Sequence, residues 1–276
     1  MNTYHLEGLI VGKIYTVAIN KGGNGKTSLL TNLAGVISDI EKDKRILILD
    51  TDGQGNATLT FGINPKELND NMYDIFIGNA SIDDVKMSVN HNIDIVPSNR
   101  DLNFVEIDIL TKLDKYPKPF ELLKKQVDEV KDDYDYIFID TPPSIGLVTL
   151  NALKISDEVI IPYVPETYST FGLTELIEAI KDFKESENPN MNIMGIVGMM
   201  IQQVNLHTNL MEGIKEWCAN NDMKFFDTHI SKSIRFAEAV AESSLPAVWY
   251  DKKHRIVKQY YDLANEIINI KSEVEV

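Results

Sequence analysis

The stretch IYTVAINKGGNGKTSLLTNLAGVI, residues 14–37, constrains the fold more than any other part of the chain. An apolar run of strand character leads into three closely spaced glycines, then Lys26-Thr27, then apolar residues at helical spacing. Without Cβ atoms at Gly22, Gly23 and Gly25 the backbone can curl and point its N–H groups inward at an anion. The helix that follows adds the partial positive charge of its N-terminus. Lys26 is placed to neutralise nucleotide phosphates, and the Thr27 hydroxyl to ligate Mg²⁺. The common pattern G-x-x-x-x-G-K-[ST] asks for glycine where Asn20 stands and asks for nothing at Lys21. This is a phosphate-binding loop of unusual form.

The rest of the chain repeats the strand-then-helix theme. Short apolar runs predict strands at Ile14–Ile19, Ile46–Leu49, Ile93–Val96, Tyr136–Ile139, Glu158–Pro162 and Met194–Met200. Helical patterns fall at Lys26–Ile40, Phe120–Lys131, Thr170–Glu185, Leu210–Asn220 and Lys258–Ile270. Alternation of this kind predicts an α/β fold, a doubly wound and mostly parallel sheet flanked by helices. No Gly/Ser- or Pro-rich linker interrupts the chain, so residues 1–276 are expected to form one P-loop ATPase domain. Residues 1–12 would be a short N-terminal extension and 271–276 a flexible tail.

In such sheets ligands bind beyond the carboxyl ends of the strands. Two carboxylate-bearing segments meet that demand. DTDGQGN follows the strand at Ile46–Leu49 and contains Asp50 and Asp52, and DTPPS follows Tyr136–Ile139 and begins with Asp140. Phosphoryl transfer needs Mg²⁺ near the phosphates and a polar group to orient the attacking water. One aspartate after a strand is weak, because Asp is common at turns. Three of them at two strand ends beside a phosphate loop are strong.

KGGNGKTS, ILDTDGQGNAT and YDYIFIDTPPSIGLVTLNAL together resemble the deviant Walker A, Walker A′ and Walker B segments of ParA-type partition ATPases, within the wider group that includes MinD. NIDIVPSN, VIIPYVPETYSTFGL and SIRFAEAV…LPAVWYDKKHR match the family's later blocks in order, so the resemblance spans nearly the whole chain. It implies a slow Mg²⁺-dependent ATPase that forms an ATP-dependent sandwich homodimer. Lys21 would be the signature lysine reaching the partner's ATP, and Gly22 would sit at the two-fold interface. Gly23, Asn24, Gly25, Lys26 and Thr27 would cradle the phosphates, and Ser28 would reach the α-phosphate. Asp52 matches the residue that positions the hydrolytic water and Asp140 the acid that holds Mg²⁺, with Asp50 a supporting ligand. On this reading Lys21, Lys26 and Asp52 carry the catalysis. There are departures: Gly53 stands where proline is common, which is expected to loosen the turn after Asp52. Ser231 and Ser233 stand where proline and asparagine often meet the adenine edge.

The family further implies nonspecific DNA binding and a ParB-like centromere-binding partner that stimulates hydrolysis. The net charge of −15 opposes a nucleic-acid partner on average. Residues 215–258 nevertheless carry eight Lys/Arg against six Asp/Glu. Arg235 matches a DNA-contacting arginine of the family, with Lys232, Lys252, Lys253, Arg255 and Lys258 as companions. Because the loop begins about twenty residues in, the short form without the helix-turn-helix domain of longer partition ATPases is expected. The acidic C-terminus NEIINIKSEVEV argues against a MinD-like membrane helix. With Cys218 the single cysteine and no apolar run of membrane length, a cytoplasmic, nucleoid-associated protein without membrane attachment is expected. Two other readings stay open: positioning of a protein cargo on the nucleoid, and metabolic ligase or kinase chemistry on a small molecule.

Overall fold

The computed structural model describes residues 12–19, 21–166 and 169–274, with side chains described as far as Ile267. Among the described residues, seven strands form a single sheet: β1 (Lys13–Val17), β2 (Ile46–Asp50), β3 (Met87–Asn90), β4 (Ile93–Val96), β5 (Tyr136–Asp140), β6 (Glu158–Tyr163) and β7 (Asn192–Gly198). Their order across the sheet is β3-β4-β2-β5-β1-β6-β7, and every pair is parallel except the edge pair β3–β4. The expected α/β sheet is therefore the observed one.

Side-chain alternation along the strands sorts the helices onto two faces. Ile46 and Ile48 of β2 point into one cluster with Tyr15, Val17 and Phe138. That cluster is covered by α1 (Lys26–Ile40) and by the late helices α10 (Arg235–Ser243), α11 (Ala247–Tyr250) and α12 (Arg255–Val274). Leu47 and Leu49 point the other way, into a cluster with Ile137 and Ile139. After α2 (Asn56–Thr60), which packs Ala57 into the first cluster, the elements that follow cover this one: α3 (Met72–Ile77), α4 (Ile82–Val85), a 3₁₀ turn at Arg100–Phe104, α5 (Val105–Leu110), α6 (Leu122–Asp128) and α7 (Leu147–Ile155). On that face β6 packs against α8 (Ser169–Glu187) and α9 (Asn205–Asn220) through Val159, Ile161, Leu176 and Ile214.

From β1 the chain crosses to β2 on one side, and from β5 it crosses to β6 on the other. The crevice where those directions part opens at the carboxyl ends of β1, β2 and β5. Several expectations need correction. The edge strand β3 has the sequence MSVN, too polar and too exposed to read as a strand. The helix expected at Phe120–Lys131 is shorter, Leu122–Asp128, and breaks into a 3₁₀ turn at Lys131–Asp133. β7 stops at Gly198 rather than Met200, because Met200 takes a left-handed conformation with φ 54°. The last helix runs to Val274, into the segment expected to be a tail, while residues 1–11 of the extension expected at 1–12 lie outside the described residues.

Candidate nucleotide site

Strand register builds the site. Asp50 pairs with Asp140 across β2 and β5, and Val17 pairs with Asp140 across β1 and β5. Two carboxylates therefore end their strands side by side, and the glycine loop starts beside them. Gly23 and Gly25 have φ of 80° and 75°, a region that side-chain-bearing residues adopt only at a cost. Gly25 also ends the loop as the N-cap of α1, and a Cβ there would lie 3.1 Å from Met199 Cε.

The first residues of α1 turn inward. Lys26 Nζ donates to Asp140 Oδ1 at 2.8 Å and lies 3.7 Å from Asp52 Oδ2. Thr27 Oγ1 donates to the other Asp140 oxygen at 2.6 Å. Lys26, Asp50, Asp52 and Asp140 are all buried. Burial by itself disfavours the Lys26 ammonium, yet Asp140, Asp52 and Asp50 outweigh it and hold the pKa above the ordinary lysine value. Burial also raises Asp52, against the opposing pull of the Gln54 N–H and Lys26. Asp50 is pushed up to about 7 by complete burial and by the neighbouring Asp140 charge.

Asp50, expected as a supporting metal ligand, uses both of its oxygens in hydrogen bonds to its own loop and the helix after it. Its Oδ2 accepts from the Thr58 N–H at 2.8 Å and the Thr58 hydroxyl at 2.7 Å, and its Oδ1 accepts from the Asp52 N–H at 3.2 Å. It braces the loop that presents Asp52. That loop is not loosened by Gly53: the Gln54 N–H donates to Asp52 Oδ1 at 3.0 Å and the Gly55 N–H to the Asp52 carbonyl at 2.9 Å. Thr27 and Asp140, hydrogen-bonded to each other beside the loop, are the residues that could hold a hard cation, and their oxygens are a donor type that suits Mg²⁺ completed by phosphate and water. Among the described residues no group of three or more His, Cys, Asp or Glu could hold a metal unaided.

The raised Asp50 has a consequence for pH. Its folded pKa lies above the unfolded value of 3.8, so the folded state binds the extra proton, and this stability is lost as pH rises through about 7. Urea denaturation of nucleotide- and Mg²⁺-free protein is expected to show stability falling as pH rises from about 5 to about 7 and levelling off above that. The Asp50→Asn variant is expected to flatten that slope, and an equal slope in both would refute the assignment.

A cavity of about 530 Å³ extends from the loop, with Lys21–Ser28, Asp52 and Gln54 on one side and Met199, Met200, Ile230, Ser233 and Phe236 on the other. The polar end lies at the carboxylates and the apolar end beneath α10, matching the phosphates and base of a nucleotide in kind. Ser233 and Lys232 line it, but Ser231 does not. The Ser231 hydroxyl accepts from Gln259 Nε2 at 2.9 Å, and its N–H donates to Gln259 Oε1 at 3.0 Å, which ties it to α12 instead. Met200 and Phe236 were not legible as site residues. Their place depends on the left-handed turn after β7 and on the packing of Phe236 against Tyr260.

Lys21 stands exposed at the mouth and pairs with the Glu166 carboxylate beyond β6. A Cβ on neighbouring Gly22 would meet nothing within 4 Å, so this rim is open. The Ser28 carbonyl accepts from Asn32 Nδ2 and Tyr260 Oη, which fixes the first turn of α1. The basic residues of the C-terminal region divide. Arg235 pairs with Glu238 at 3.0 Å, Lys252 with Asp39 at 2.9 Å and Lys258 with Asp262 at 3.7 Å. Lys232, Lys253 and Arg255 are exposed. Among the described residues, no helix is long and apolar enough to cross a membrane.

Comparison with known proteins agrees with this geometry. A family model described as an AAA domain matches residues 12–193. The sporulation initiation inhibitor protein Soj of Bacillus subtilis is 34% identical over 259 residues, covering 93% of this chain and 98% of that protein. A ParA family protein of Mycoplasma pneumoniae is 33% identical over 264 residues, covering 91% and 95%. Among solved structures, one described as a plasmid partition protein from Borrelia burgdorferi, bound to AMPPNP, aligns with a TM-score of 0.76 and 28% identity over 93% of this chain and 98% of that one.

Proposed function

This chain belongs to the ParA family of partition ATPases, and from that premise we propose that it is the DNA-binding motor of a segregation system: an ATP-dependent sandwich dimer that hydrolyses ATP when a centromere-binding partner stimulates it. The enzyme is an ATPase that uses ATP and Mg²⁺. The observation that carries the dimer is Lys21. It is the loop lysine turned away from Asp52 and Asp140, half exposed on a rim that Gly22 keeps open, while Lys26 is buried against Asp140. A lysine so placed is free to exchange Glu166 for the triphosphate of a second copy.

Within one site, the loop N–H groups and Lys26 hold the phosphates and offset charge that builds on the transferred group. Thr27 and Asp140 would hold Mg²⁺, which supplies further positive charge to the phosphates. Asp52, with its pKa raised by burial and braced by Asp50, faces the same space and orients the attacking water by accepting its hydrogen bond. The apolar wall of Met200, Ile230 and Phe236 receives the base.

For DNA, the exposed cations Lys232, Lys253 and Arg255 support a surface that two copies would double, with Arg235 joining if it leaves Glu238. Gel-shift titration with a random duplex tests this reading. Binding is expected only with ATP, to weaken steeply with salt, and to fall at least about tenfold in Lys21→Ala and Arg235→Ala, a loss of about 1.4 kcal/mol. DNA binding that is absent with ATP, or unaffected by both substitutions, would overturn it. Cargo positioning on the nucleoid would share these results and differ in the protein encoded beside it. Metabolite-stimulated turnover in a constitutive oligomer would point to small-molecule chemistry instead.

A further inference from the structure

We infer that Asn103 and Glu106 form a strut between the two loops that carry Asp52 and Asp140, and that Glu106 is a positioning residue for hydrolysis. The inference rests on the ATPase reading of the site. Both residues belong to the segment after β4, the 3₁₀ turn Arg100–Phe104 and the start of α5. Leu102, Val105 and Ile109 bury its inner side against the sheet, so the segment is anchored in the core.

Two glycines mark where it touches the site. The place a Cβ would occupy on Gly53, next to Asp52, is taken by the Asn103 side-chain amide. The corresponding place on Gly146, at the end of the loop that begins with Asp140, lies 2.7 Å from Glu106 Oε2. Gly146 has φ −116°, a conformation any residue adopts, so close approach rather than backbone freedom explains this glycine. The same Glu106 oxygen accepts the Leu147 N–H at 3.3 Å, at the start of α7, where Gly146 has no side chain to cap the helix. Glu106 therefore supplies from α5 the acceptor and the negative charge that a helix N-terminus favours.

The consequence is mechanical. The backbone register of β2 and β5 sets Asp50 against Asp140, but Asp52 and residues 141–146 lie beyond the ladder, where no strand pairing positions them. The Asn103–Glu106 segment spans that gap and sets the spacing of the water-orienting loop relative to the metal-binding loop. A misplaced loop costs rate in the chemical step without removing any group that binds nucleotide.

Steady-state turnover and titration with a fluorescent ATP analogue test it on the full chain. Glu106→Ala is expected to lower kcat about fivefold while the analogue's Kd stays within twofold. Glu106→Gln, whose amide oxygen can accept the same N–H, is expected to keep most of the wild-type kcat. Gly146→Ala, which displaces Glu106, is expected to lower kcat alone and to add little to Glu106→Ala, because both break one contact. Unchanged kcat in Glu106→Ala would overturn the inference. So would a parallel loss of kcat, nucleotide affinity and thermal stability, which would mark a purely structural residue. Absence of turnover in the wild-type chain would instead defeat the ATPase reading itself.

Discussion

Replacing Lys26 by alanine is expected to reduce ATP turnover at least about 100-fold and to destabilise the nucleotide-free protein at the same time. The first effect follows from the loss of a buried cation aimed at the phosphates. Removing one such preorganised charge or donor costs roughly 3–4 kcal/mol in the transition state. The second follows from the ion cluster. Lys26 lies 2.8 Å from Asp140 and 3.7 Å from Asp52, both buried, and Asp50 is buried beside them. Removing the one ammonium leaves uncompensated buried carboxylates, a change that typically costs about 3–5 kcal/mol. One of them can escape by taking a proton, and Asp50, already raised to about 7, is placed to do so. The destabilisation should therefore be larger at pH 8 than at pH 6. Phosphate release and thermal melts at the two pH values check both effects. A variant that melts like the wild type at pH 8 would show that Lys26 does not neutralise the cluster.

Asp52→Ala is expected to give the same loss of turnover with the opposite effect on stability. Its carboxylate lines the phosphate end of the cleft and, being an anion, offers the triphosphate no direct attraction, so nucleotide affinity should change no more than threefold. Turnover should fall about 100-fold, the lower end of the range for one general acid–base or water-orienting group. Because burial raises Asp52, its charge costs free energy in the folded nucleotide-free state. Removing it relieves repulsion with Asp140, and the melting temperature should stay level or rise. ATP-induced self-association should persist and last longer, since the trapped nucleotide is not cleaved. Analytical ultracentrifugation with ATP and Mg²⁺ reads this directly. Rapid turnover in Asp52→Ala would remove it from the chemistry.

Much of the site was legible because its parts are local. A strand, a glycine loop, Lys-Thr and a helix occur within two dozen residues, and backbone geometry alone makes an anion cradle of them. Asp50, Asp52 and Asp140 declared themselves by standing at the ends of apolar runs, and parallel pairing requires such ends to meet on one edge. The missed elements are short or polar: β3 buries none of its side chains fully, and α2, α3 and α4 each span too few residues for a helical period to show.

What the chain determines alone, then, is chemical kind: a phosphate loop, carboxylates at neighbouring strand ends, and an extra lysine where the common loop pattern asks for none. Tertiary structure decided the allocation. Asp50 braces Asp52 because Thr58 folds back onto it, and Ser231 leaves the cleft because Gln259, 28 residues away, takes its hydroxyl. Arg235, Lys252 and Lys258 are paired with acids while Lys232, Lys253 and Arg255 stand exposed. Gly53 and Gly146 make room for Asn103 and Glu106. Each outcome depends on which distant group arrives within hydrogen-bonding distance, and that distance is set by packing across the sheet, which no local pattern encodes.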